Sequence, residues 1–180
     1  MEGVLALQKV NPVIEKFLGK VCSVEGDHTR AINYLSDLYV NNKITREEKL
    51  TLCKSLEYFG MWQEALQIRK SINLLNEHEK KGLLVTAYKA GDLEYCKNTS
   101  NSSYQIIQAM LVLNEKNYDG AAQLIREAIR EKNVGLEDVN LLSDYYYQTN
   151  QIKEFITVIS ILPSKLQKSE TVQLALAKAN

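Results

Sequence analysis

One shape recurs along this chain and limits what it can become. The stretch "LVTAYKAGDLEYCK", from Leu84 to Lys97, reads as the end of one helix, a Gly-Asp turn and the start of another. The strings "KSLEYFGMWQEALQIRK", "LVLNEKNYDGAAQLIREAI" and "DYYYQTNQIKEFITVIS" follow the same plan. A single helical hairpin cannot bury its own apolar face, so repetition of this kind implies stacking into a continuous core. A chain of 180 residues has room for one domain or a short array of such hairpins.

The punctuation agrees with that reading. Asn11-Pro12 looks like an N-cap followed by Pro at the first helical position, opening a helix over 12–22 with Val13, Phe17 and Val21 on one stripe. A second helix is expected over 30–40. Thr45 and Glu48 form a capping box that starts a third, running to residue 58. Further helices are expected over 63–75, 78–90, a short stretch after Asp92, 104–115, 118–131, 136–148, 152–162 and 169–178. With only 8 Gly and 2 Pro, and 45% hydrophobic residues, the composition favours an all-α chain with a core and almost no sheet.

Lys plus Arg and Asp plus Glu balance at 22 each, so no global positive field draws in nucleic acid or an anionic membrane. The opening "MEGVLALQKVNPVIEKF" lacks the pattern of an export signal, and no stretch approaches the roughly 18 apolar residues of a spanning helix. A soluble, cytoplasmic protein is expected. Cys22, Cys53 and Cys96 are then buried, reduced thiols, and "KNTSNSS", despite apparent glycosylation acceptors at Asn98 and Asn101, is a polar loop.

At the level of motifs the chain resembles tetratricopeptide-like helical repeats over roughly residues 46–163. In that pattern the second helix of each pair opens with a large, often aromatic residue. Here Trp62, Leu93, Tyr118 and Ile152 stand there, with Ala65, Cys96, Ala121 and Phe155 three positions on. The small position of the first helix is filled by Cys53, Ala109 and Ser143, but by Leu84 in the second unit. Intervals between these positions are 31, 25 and 34 residues, where a regular array keeps about 34. The short second step and Phe155 imply a kinked or looser packing at those units.

The resemblance implies one α-solenoid domain over 1–180, a right-handed superhelical array of antiparallel hairpins. Residues 1–44 would cap it, 45–163 would supply about four hairpins, and 164–180 would close it. It also implies a concave groove lined by the first helix of each pair. The matching positions are Leu50, Lys54 and Tyr58, then Lys81, Val85 and Tyr88, then Ile106, Met110 and Leu113, and last Asn140, Asp144 and Tyr147. Part of that stripe could equally be core. In "DYYYQ", three consecutive Tyr span about 200° of a helix, so at least one must reach a surface. Leu50 and Lys54 depart from the Lys and Asn of the family's carboxylate clamp, so that clamp is not expected.

Chemistry is hard to place on this sequence. His28 and His78 stand far apart without a ligand-spaced neighbour, and no phosphate-binding glycine motif is present. No enzyme activity, cofactor, metal or small-molecule substrate is expected. The reading is a scaffold or chaperone, of the bacterial secretion type among others, that holds a peptide or helical segment of a protein partner. Two alternatives stay open: a pentatricopeptide-like binder of single-stranded RNA, and a self-assembling homo-oligomeric subunit.

Overall fold

The computed structural model of the protein describes residues 11–99 and 104–179. The first ten residues and the core of the polar "NTSNSS" stretch, with Asn101 and any hinge there, lie outside the described residues. Among the described residues the chain is all helical, with twelve helices and no strand. It divides into two compact units, Met1–Ala90 and Gly91–Asn180.

The first unit holds α1 (Pro12–Val24), α2 (His28–Val40), α3 (Arg46–Tyr58), α4 (Trp62–Lys70) and α5 (Glu77–Lys89). Each helix packs on the next, and α1 also packs on α3. Asn11 caps α1 by accepting from the Val13 N–H at 2.9 Å, and Asp27 caps α2 by accepting from the Arg30 N–H at 3.1 Å. Glu48 accepts from the Thr45 N–H at 2.6 Å, as the expected capping box requires. Asn76 and Glu79 form a second such box before α5, each satisfying the other's backbone N–H at 2.9 Å.

α4 ends at Lys70, five residues short of the expected boundary. Ser71 explains the stop, because its hydroxyl turns back to donate to the Ile68 carbonyl at 2.7 Å while Lys49 donates to Ser71 from α3. The core gathers Leu35, Leu38, Leu52, Cys53, Leu56, Ala65 and Ile68. Cys53 and Ala65 meet directly, the thiol lying 3.6 Å from the Ala65 carbonyl, so two small side chains let α3 and α4 approach closely. Gly19 does the same for α1 and α2, since a Cβ there would fall 2.6 Å from Leu35 Cγ. Cys53 and Cys96 are buried thiols outside any disulfide, as expected, whereas Cys22, also outside any disulfide, is only half-buried.

The second unit holds α6 (Leu93–Thr99), α7 (Gln105–Asn114), α8 (Tyr118–Arg130), α9 (Leu136–Gln148), α10 (Ile152–Ile161), the one-turn α11 (Ser164–Gln167) and α12 (Glu170–Ala179). Here α7 packs on α8 and α9, α10 on α8 and α9, and α12 on α9 and α10. Ala109, Ala121, Ile125, Val139 and Leu142 form its centre. Phe155 is buried and stacks on Tyr146 with ring centroids 5.6 Å apart, so a large side chain sits where a small one was the pattern. Neither aromatic opener is a core residue. Trp62 is half-buried beneath the Lys89 ammonium, 4.8 Å from the ring centroid, and the exposed Tyr118 hydroxyl accepts from Gln151 at 2.9 Å.

Helix ends share one device. Residues with positive φ follow α1, α2, α3, α5, α7, α8 and α9: Gly26, Asn42, Gly60, Gly91, Lys116, Lys132 and Asn150. At six of these ends the next amide bonds back to the last turn, for example Asn133 N–H to the Ala128 carbonyl at 2.9 Å and Gln151 N–H to Tyr146 at 2.8 Å. That is the Schellman arrangement, which satisfies carbonyls the helix leaves orphaned and reverses the chain in a few residues.

Candidate functional site

In the first unit α3 carries Leu50, Lys54 and Tyr58 at four-residue spacing, hence on one stripe. Leu50 is half-buried, Lys54 is exposed and Tyr58 is 69% exposed. Tyr58 does not stand alone. Its ring lies 4.3 Å from that of His28 and meets Phe59 edge-on at 5.2 Å. His28 is held from below, its Nδ1 lying 3.1 Å from the Ser55 hydroxyl, which in turn donates to Ser23 at 3.4 Å. The result is a three-ring aromatic patch on a polar support, where the start of α2 meets the end of α3.

Lys81, Val85 and Tyr88 are half-buried on α5. A polar brace ties α5 to α3 and α4. The Glu57 carboxylate accepts from Arg69 Nε at 2.6 Å, from Arg69 Nη2 at 3.1 Å and from the Thr86 hydroxyl at 2.6 Å. Arg46 on α3 pairs with Glu79 on α5 at the other end. The α3 stripe and the α5 residues therefore belong to helices fixed to one another.

The second unit corrects part of the expected groove. Ile106, Met110 and Leu113 are 3%, 1% and 1% exposed, so they are core side chains and present no surface to a partner. The physical reason is the composition of α7: in "QIIQAMLVLN" seven of ten residues are buried, and a helix apolar nearly all round is an interior helix. On α9, Asn140 is half-buried, Asp144 is exposed and Tyr147 is 53% exposed. The three tyrosines divide as the angular argument requires. Tyr146 is buried, Tyr145 is half-buried and donates to the Leu113 carbonyl at 3.1 Å, and Tyr147 reaches solvent. Burial raises the pKa of both inner phenols, that of Tyr146 to about 12.

Burial pushes the Cys53 thiol up to about 12, which keeps it protonated and unreactive. Among the described residues no group of three or more His, Cys, Asp or Glu side chains could hold a metal ion. No helix among them is long and apolar enough to cross a membrane.

Two cavities were not legible in the sequence. An apolar one of about 370 Å³ opens between α2, α3 and α4, walled by Ile32, Tyr39, Leu52 and Met61. Another, of about 690 Å³, lies in the second unit where the end of α8 meets the start of α9, α11 and Ser169, the residue before α12. Helix α11, which no sequence signal beyond Pro163 announces, builds one of its walls.

Among the described residues the protein is all-α, two units of packed helices, and an exposed aromatic patch stands beside α3 in the first. No protein-family model, no curated protein and no solved structure matches the chain.

Proposed function

We propose that this chain is a non-catalytic interaction protein of tetratricopeptide-like design, a scaffold or chaperone that holds a peptide or helical segment of a protein partner. The observation that carries the reading is the patch of Tyr58, Phe59 and His28, continued along α3 by Lys54 and Leu50. Exposed aromatics clustered on rigid helices supply anchor area at small entropic cost, and a lysine beside them suits an acidic residue of the partner. On this reading the contact surface in the first unit is the α3 stripe with Lys81, Val85 and Tyr88, and Asp144 and Tyr147 mark a separate surface on α9.

The test is affinity capture by the full chain, followed by titration of the purified partner against wild type and the Tyr58→Ala, Phe59→Ala variant. Anchors of this type contribute on the order of 2 kcal/mol each, so binding should weaken by at least thirtyfold. Unchanged affinity would move the site away from α3.

A second reading, self-assembly, draws on α1, which leaves Val13, Phe17 and Val24 largely exposed. Light scattering over a concentration series decides it. A mass that rises with concentration in wild type and not in Phe17→Asp would favour assembly through α1.

A further inference from the structure

We propose that the cavity at the foot of α9 in the second unit binds an aliphatic monocarboxylate, a carboxylate head on a hydrocarbon tail. Its floor is carbon, formed by side chains such as Ile129, Leu136 and Leu166. Its cations are Lys132 and Lys165, both exposed, and among the described residues neither has an ion-pair partner. Among the described residues no carboxylate lines the cavity. Glu131, next to Lys132 in sequence, is instead engaged by Gln105 at 2.6 Å and Asn133 at 3.2 Å. Two unpaired ammonium groups beside an apolar hollow are complementary to a ligand that is anionic at one end and apolar along the rest.

A second observation marks where the head would sit. Ser169, whose carbonyl accepts the first intrahelical bond of α12, also lines the cavity. Its hydroxyl oxygen is shielded from water and has no hydrogen-bond partner. An orphaned buried hydroxyl at a helix N-terminus is a donor waiting for an acceptor, and the unpaired amides and dipole of the first turn favour a negative one. A carboxylate at this end of the cavity would face both lysines, and rotation of the Ser169 side chain about χ1 would turn its hydroxyl out of its shielded position to donate to it.

The lining also argues for a hydrocarbon tail over a peptide. Apart from the two ammonium groups and the Ser169 hydroxyl, the wall offers few groups to satisfy backbone N–H and C=O groups stripped of water, whereas an alkyl chain has none to satisfy. Space is ample: a six-carbon ring fills a cavity of about 150 Å³, so on that ratio a tail of roughly ten carbons needs about 250 Å³. The cavity exceeds this, at about 690 Å³.

The experiment is a methyl NMR titration of the full chain with decanoate below its micelle concentration, beside decanol and decylammonium as tails with a neutral and a positive head. The expected result is saturable shifts at the Ile129, Leu136 and Leu166 methyls, with decanoate bound at least tenfold more tightly than either comparison. The Lys132→Gly, Lys165→Ala variant should lose that tenfold preference while keeping its decanol affinity. Both positions are exposed, and Lys132 already has the positive φ that glycine accepts freely, so the variant should fold. The proposal is overturned by the absence of saturable shifts, by shifts centred elsewhere, by equal binding of decylammonium, or by a variant that keeps the preference. Protein-concentration-dependent shifts at the same methyls without ligand, the mark of a second copy seated there, would overturn it too.

Discussion

Lys116 and Lys132 hold φ of +61° and +58°, each just past the end of a helix where Gly26, Gly60 and Gly91 do the same work elsewhere. A left-handed residue with a Cβ costs roughly 1–2 kcal/mol, whereas glycine costs more backbone entropy on folding, about 0.5–1 kcal/mol. The difference predicts that Lys116→Gly and Lys132→Gly each stabilise the protein by about 0.5–1 kcal/mol, against the general rule that glycine weakens helical proteins. Neither side chain forms an ion pair among the described residues to offset the gain. The turn itself persists, because the bonds that close it, Asn117 N–H to Val112 at 3.2 Å and Asn133 N–H to Ala128 at 2.9 Å, are made by the backbone. Lys116→Ala and Lys132→Ala separate charge from conformation, since they remove the ammonium and keep the strain; no gain is expected from them. Urea denaturation followed by circular dichroism reads the free energies, and a unit of this size should melt about 2–8 °C higher per substitution. Two glycine variants that are both less stable than wild type, with alanine variants of equal stability, would refute the left-handed assignment and the Schellman reading of these ends.

Glu57→Ala should destabilise by about 3 kcal/mol in urea denaturation, because it strips a carboxylate from the largely buried Arg69 and from Thr86, and the cost should fall sharply in an Arg69→Met background. Gly19→Ala should cost about 1–3 kcal/mol, since the new methyl would lie 2.6 Å from the fully buried Leu35, which has no room to yield; a neutral result would mean α1 and α2 are not in close contact. For Cys53 the sign runs one way: burial raises its pKa to about 12 when folded, so its contribution is intact below the unfolded value near 9 and is lost as pH rises from there to about 12. Stability measured between pH 8 and 11 should therefore fall less steeply in Cys53→Ala than in wild type.

Helices and their starts were readable from the sequence because the signals are local. Asn11-Pro12, Thr45 with Glu48 and the apolar spacing of α2 act within one or two turns, and the structure places helices there. The small pair Cys53 and Ala65 was legible too, being set by spacing within one hairpin. What was missed is non-local or conformational. Lysine at a left-handed position carries no signature, so Lys116 and Lys132 read as ordinary charged residues. The Glu57 brace joins positions 12 and 29 residues away, and no periodicity exposes it. Ile106, Met110 and Leu113 were placed on a groove by analogy, although the nearly unbroken apolar run of α7 already pointed to the interior. The cavity in the second unit depends on a four-residue helix after Pro163, too short to leave a pattern.

Site-specific photo-crosslinking from position 58, with a photoreactive phenylalanine in place of Tyr58 and a control at the exposed Arg126 on α8, bears most directly on the proposed role of the α3 surface. A single protein species joined efficiently from position 58, weakly from position 126, and displaced by excess unlabelled wild-type chain is the predicted result. Equal labelling from both positions, or none from position 58 by a partner that still binds, would contradict it.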